Sequence, residues 1–261
     1  MIGTEYHFGN SAYPVIAFAI HNGHDMPSDL LDICGISEED RFREEDPYTE
    51  FIAKRFPNNV CVYDSRFMVD LNRSFDKAVY LKPEDCWGLN ARTEALSEEL
   101  LTGLQNDYKE WYSVLEYQIE RLLHTHKLLI IMDIHSYNHH RQGEESAPDP
   151  QINNPDIIIG KSNMPEKYHP LVEHLHHRID GKLLNGKPID CRIDVKFSGG
   201  YMSRWLHQKY PLQVISLSVE FKKIFMNEWT GNLNEEMFRA MTDLFVDCTR
   251  EWLQADLNIS S

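Results

Sequence analysis

The sequence predicts an α/β fold in which helices cover the faces of a mixed, mostly parallel sheet. Three observations carry that expectation. The run Lys127-Leu-Leu-Ile-Ile-Met-Asp-Ile-His135-Ser136 is almost wholly apolar until its polar end, as in a strand buried on both faces. Other strand-like runs alternate with stretches of helical periodicity. No internal repeat or shift in composition divides the 261 residues, so a single domain over 1–261 is expected.

Pro14-Val-Ile-Ala-Phe-Ala-Ile20 is the first candidate strand, and it ends at His21. Val60–Tyr63, Arg66–Asp70 and the shorter Ala78–Leu81 follow as strand-like runs. A long helix is expected from Thr93 to about His126, because Leu96, Leu100, Leu104, Trp111, Leu115, Ile119 and Leu122 fall on one face. After the run that closes at Ser136 comes Arg141–Pro155, a polar segment with glycine and prolines, expected as a loop beside that strand's end. Asp156–Gly160 reads as a strand and Pro165–Ile179 as a helix, Pro165 suiting its first turn. Ser198-Gly-Gly-Tyr-Met-Ser-Arg204 reads as a flexible turn entering a helix. Gln213–Glu220 is the last strand, and Asn234–Trp252 a closing helix with Met237, Met241, Leu244, Phe245 and Trp252 as its apolar stripe.

The chain carries 41 acidic and 26 basic side chains, a formal net charge of −15. That balance disfavours nucleic acid and a polybasic membrane contact. A local cluster of Arg and Lys can still hold an anionic substrate against the net field. The five cysteines, Cys34, Cys61, Cys86, Cys191 and Cys248, are scattered and never form a Cys-x-x-Cys pair. Neither a disulfide framework nor a thiolate zinc site is expected, and a reducing cytoplasm is. No signal peptide or membrane span is read.

The chemistry gathers at strand ends, where open α/β sheets place ligands. Two strands finish alike, in Ile20-His21 and Ile134-His135, and Gly23 would let the chain turn sharply after the first. Two imidazoles and one carboxylate make a three-ligand metal site with an open position for water. Arg43-Glu44-Glu45-Asp46-Pro47 supplies the carboxylates. A lone histidine at a strand end would more simply hydrogen-bond to backbone; two at equivalent ends favour metal. His139, His140, His169, His174, His176 and His177 are read as loop and solvated helix-face residues. Asp70-Leu-Asn72-Arg73 offers a fork of donors for a carboxylate or a polarised carbonyl, although an arginine in so acidic a chain could equally pair with Asp or Glu. Glu220 closes an otherwise apolar strand, where burial should raise its pKa and suit it to general-base work; Lys222 or Lys223 could instead neutralise it. Gly199 and Gly200 permit close backbone approach to a ligand, and Arg204 adds a second anion contact. The phosphate loop, the dinucleotide fingerprint, His-Glu-x-x-His and Gly-x-Ser-x-Gly are not found.

Taken in order, His21-Asn-Gly23, Arg43-Glu-Glu-Asp46, Ser65-Arg-Phe-Met-Val-Asp-Leu-Asn-Arg73, Asp133-Ile-His-Ser136, Phe197-Ser-Gly-Gly200, Val219-Glu220 and Phe225-Met226 resemble the N-formylglutamate amidohydrolase family. The resemblance implies a zinc carboxypeptidase-like α/β/α sandwich around a mixed sheet and one zinc ion held by His21, His135 and an acidic residue between them. It carries that third ligand to Asp46, with Glu44 and Glu45 as rivals. The carboxypeptidase pattern has Glu three residues after the first histidine, where this chain has His24, so His24 stays a candidate ligand or supporting group. Glu220 matches the carboxylate that activates water. Asn72 and Arg73 match the pair that holds the substrate carboxylate or polarises its carbonyl. Asp133 is expected to orient an imidazole. The implied activity is hydrolysis of a small N-acyl amino acid such as N-formylglutamate. The alternatives are a peptidase or deacylase on a larger substrate and a non-catalytic acyl-amino-acid-binding protein.

Overall fold

The computed structural model describes residues 1–259. Its sheet has seven strands: β1 (Thr4–Phe8), β2 (Val15–Ala19), β3 (Asn58–Val62), β4 (Leu129–Tyr137), β5 (Ile157–Gly160), β8 (Cys191–Ile193) and β9 (Val214–Lys222), in the order β1-β3-β2-β4-β9-β5-β8. A two-strand ribbon, β6 (Leu183–Leu184) with β7 (Lys187–Pro188), lies apart from it. The pairs β3–β2, β2–β4, β4–β9 and β5–β8 are parallel, and β1–β3 and β9–β5 antiparallel. The sheet is therefore mixed and mostly parallel, as the sequence predicts.

Alternate residues of the central strands feed two cores. Ile130, Met132 and Ile134 face a layer built by α3 (Thr49–Ala53), α5 (His169–Ile179) and α7 (Glu235–Leu257). Leu129 and Ile131 face α4 (Glu98–Leu123) and α6 (Tyr201–Lys209). Helices on both faces of the sheet give the α/β/α layering. Two short helices, α1 (Ser28–Leu31) and α2 (Glu38–Glu44), belong to the connection between β2 and β3.

Local chemistry sets the boundaries. The expected helix from Thr93 begins only at Glu98, because Ser97 accepts a hydrogen bond from the Leu100 N–H and caps it. Asn234 caps α7 in the same way, through Met237 N–H. The helix expected from Pro165 begins instead as a 3₁₀ turn, Glu166–Tyr168, and α5 follows with Pro170 in its first turn. Two strand-like runs are not strands. Arg66–Asp70 and Ala78–Leu81 lie past the end of β3, where the chain turns back and Asp70 N–H donates to the Ala78 carbonyl at 2.7 Å. Phe67, Val69 and Tyr80 are still buried, which is why these runs read as strands. Among the described residues no helix is long and apolar enough to cross a membrane.

Candidate metal centre and its cavity

The parallel strands β2, β4 and β9 end side by side, and their carboxyl ends carry the polar residues. His21 follows β2 by two positions, and His135 lies in β4 directly in register with Glu220 of β9. Asp46 arrives from the turn after α2, where its N–H donates to the His21 carbonyl at 2.9 Å. His21, Asp46 and His135 are buried, and their candidate ligand atoms all lie within 4.8 Å of one another.

Both imidazoles present Nδ1 to the same oxygen. Asp46 Oδ2 is 2.9 Å from His135 Nδ1 and 3.5 Å from His21 Nδ1. Behind them, His21 Nε2 is hydrogen-bonded to Asp70 Oδ1 at 2.8 Å, and His135 Nε2 lies 2.9 Å from Asp133 Oδ1. Asp70 and Asp133 are completely buried. An imidazole that gives its Nε2 proton to a buried carboxylate turns the Nδ1 lone pair toward the centre. That is how histidine ligands are oriented for a metal. Without a cation, the lone pair would confront the Asp46 carboxylate, unless the ring takes a second proton. Four carboxylates, Asp46, Asp70, Asp133 and Glu220, surround the pair. This donor set fits a divalent cation.

The titration of these groups follows from the same crowding. Burial opposes the charged form of Asp46, but hydrogen bonds to His135 and His21 prevail and hold its carboxyl below the usual range. Burial likewise opposes the charge on Asp70, which Arg66 and His21 hold well below its ordinary value. Burial would lower the His135 pKa, yet the Asp133 and Asp46 carboxylates raise it well above normal. Glu220 is pushed up to about 7, chiefly by burial and further by Asp46 and Asp133, against the pull of His135. It is the only residue of β9 that is not fully buried.

His21, Asp46, Asn72, Arg73, His135, Gly200, Arg204 and Glu220, all singled out in the sequence, line one cavity of about 380 Å³. Asn72 joins the cavity lining to α6. Its Oδ1 accepts from Met202 N–H at 3.0 Å, and its Nδ2 lies 3.4 Å from His135 Nε2. A Cβ at Gly200 would fall 2.1 Å from the Asn72 amide, so glycine is required where α6 starts. Gly23 serves close approach rather than an unusual φ: a Cβ there would meet the Tyr63 backbone at 2.1 Å. Arg73 stands partly exposed at the cavity mouth, its guanidinium 5.8 Å from the Trp87 ring centroid.

The rival acidic residues separate. Glu45 is fully buried, but it turns away to His24 Nδ1 at 2.5 Å and to the Ser65 hydroxyl. Glu44 lines the cavity outside the histidine–aspartate group. His24 accordingly sits behind the acidic stretch. The loop from Arg141 contributes Arg141 itself to the lining.

Sequence reasoning did not assign Asp70, Arg66, Lys196 or Lys223 to the site. Arg66 donates to Asp70 Oδ2 at 2.7 Å, and the Tyr80 hydroxyl donates to the same oxygen. A carboxylate closing the apolar run Phe67-Met-Val69 was the available signal for Asp70. Arg73, Arg141, Lys196 and Arg204 line the cavity, so a strongly acidic chain has a basic chamber beside its carboxylate cluster, while Arg66 is engaged with Asp70 and the Lys223 ammonium with the Arg43 and Glu45 carbonyls.

A family model described as N-formylglutamate amidohydrolase matches residues 13–225. Among solved structures, the N-formylglutamate amidohydrolase from Ralstonia eutropha superposes with a TM-score of 0.74 at 16% identity, covering 99% of this chain and 100% of that one. A gene product of Agrobacterium tumefaciens gives a TM-score of 0.62 at 14% identity, with 96% of each chain covered. At such identities the likeness is one of fold. No curated protein sequence matches.

Proposed function

The chain belongs to the N-formylglutamate amidohydrolase family of hydrolases, and from that premise we propose a zinc-dependent cleavage of the amide in a small N-acyl amino acid such as N-formylglutamate. The observation that carries this reading is the convergence of His21, Asp46 and His135 beside Glu220, which is in register with His135. His21, Asp46 and His135 would hold the ion. When bound there, zinc supplies a Lewis acid that lowers the pKa of water from about 16 toward about 7 and polarises the scissile carbonyl.

Glu220 then has the placement of a general base, in register with His135. Its carboxylate takes the proton of the attacking water and delivers it to the departing amine, so the group ends the cycle as it began. Asn72, Arg73 and Arg204 form the donor side of the chamber, with Arg73 suited to the substrate carboxylate or to charge developing on the carbonyl oxygen. Gly200 leaves room for the Asn72 amide at the start of α6. A cavity of about 380 Å³ lined by Arg73, Arg141, Lys196 and Arg204 suits a small anion better than a peptide.

The test is metal analysis of zinc-replete protein together with an assay of N-formyl, N-acetyl and N-succinyl amino acids. About one zinc per chain and release of free amino acid are expected. Folded protein that takes up no zinc would sink the reading. Glu220→Gln should keep zinc and lose about 10²–10⁴-fold in kcat. Near-normal turnover in that variant would remove Glu220 from the role.

A further inference from the structure

Lys223 is a lysine with almost no exposure, 1% of its surface, three residues beyond the carboxylate of Glu220. Its ammonium donates to two backbone carbonyls, Arg43 O at 2.6 Å and Glu45 O at 2.7 Å. Its own N–H donates to Tyr137 O at 3.1 Å, just past His135 in β4. One residue thus touches the connection that delivers Asp46, the strand that carries His135 and the strand that carries Glu220. A buried ammonium is costly unless it is fully engaged. The residues it faces are Asp46, Glu44 and Glu228, with Arg141 as the opposing cation.

The acidic stretch needs such a brace. Glu45 and Asp46 are adjacent yet point to different partners, Glu45 to His24 and Asp46 to His135. The peptide between them is fixed on one side by Asp46 N–H on the His21 carbonyl. Lys223 fixes the other side, at the Glu45 carbonyl. Rotation of that peptide would swing the Asp46 side chain away from the imidazoles.

We propose that Lys223 is a positioning residue for the metal centre, acting through the Arg43 and Glu45 carbonyls to hold Asp46 against His21 and His135. The inference rests on the metal reading above. It predicts that the ammonium's hydrogen bonds, rather than the bulk of the side chain, set metal affinity.

The experiment is a zinc titration of metal-stripped, full-length protein for wild type, Lys223→Met and Lys223→Arg, with thermal melts to confirm folding. Lys223→Met keeps the stem and removes the donors, and its zinc affinity should fall about 10–100-fold. At saturating zinc its kcat should return to within about threefold of wild type, since Glu220 and the substrate contacts are untouched. Lys223→Arg keeps donors and should hold zinc more tightly than Lys223→Met. Unchanged affinity in a folded Lys223→Met overturns the proposal, as does equal weakening in both variants. If Lys223→Met does not fold, Lys223→Leu, which also removes the donors, replaces it under the same criteria. A wild-type chain that binds no zinc overturns the metal reading itself, which separates the two failures.

Discussion

Asp133 and His135 lie two apart on β4 and meet at 2.9 Å on its far side from Asp46. That contact was legible in the sequence, because side chains two apart on a strand share a face. Asp70 performs the matching task for His21 from an irregular turn, and no periodicity announces which way such a residue points. Asp133→Asn keeps shape but weakens the hold on the His135 proton, and zinc affinity should fall about 10–100-fold in a titration of stripped protein. Wild-type affinity would show that Asp133 only fills space. Gly200→Ala tests the substrate side instead. Its Cβ, 2.1 Å from the Asn72 amide, must displace that side chain. Overpacking of this kind costs about 1–3 kcal/mol of stability; the displaced Asn72 should in addition lower kcat/KM by about one to two powers of ten with zinc content unchanged. Steady-state kinetics beside metal analysis checks it, and loss of zinc in that variant would place Asn72 in the metal's support.

The start of α6 brings Gly200 and Arg204 to the cavity, and the helix is tied back to β9 by the Ser203–Ser216 hydroxyl pair and by a histidine. The Ser216 N–H donates to His207 Nε2 at 2.9 Å, in a position only 5% exposed. Nε2 must therefore carry a lone pair, and burial lowers the His207 pKa from 6.5 to about 4. A depressed folded-state pKa means the stabilisation is complete above pH 6.5 and is lost as pH falls through about 4. At pH 5 the protein should already have lost about 2 kcal/mol relative to pH 7.5 from this group. Urea melts at the two pH values measure it. His207→Gln can still accept from Ser216 but does not titrate, and its melts should show a smaller pH dependence by that amount. An unchanged slope would assign the acid sensitivity elsewhere. The turn and helix at Ser198–Arg204 were visible from their glycines, whereas the runs Arg66–Asp70 and Ala78–Leu81 misled. Their apolar residues are buried as strand residues would be, but past the end of β3: Met68, Val69, Ala78 and Val79 join the α4 side of the core, and Phe67 and Tyr80 a small cluster with Cys86. Burial pattern alone does not distinguish those two fates.

The sheet order was not legible, since β9, the last strand in sequence, inserts between β4 and β5, and only tertiary packing decides that. The alternation of elements, the buried central strand and the residues at its polar end were legible, because each follows from local periodicity. What the tertiary arrangement adds is a closure across the chain: residues 21, 46 and 135 meet at one point. An ion bound there would join the end of β2, the connection before α3 and β4, and would offset the repulsion among Asp46, Asp70, Asp133 and Glu220. Such a ligand binds the folded chain and not the unfolded one, so it stabilises by mass action. With free zinc at 100 times its dissociation constant the gain is about 2.7 kcal/mol. A domain of this size shifts by about 2–4 °C per kcal/mol, so chelation should lower Tm by about 5–10 °C. The shift should grow with zinc concentration by a constant increment for each tenfold rise, and His135→Ala should abolish it. Calorimetry of stripped and titrated protein decides the matter. A Tm indifferent to zinc in the wild type would mean that the three side chains meet for hydrogen bonding alone.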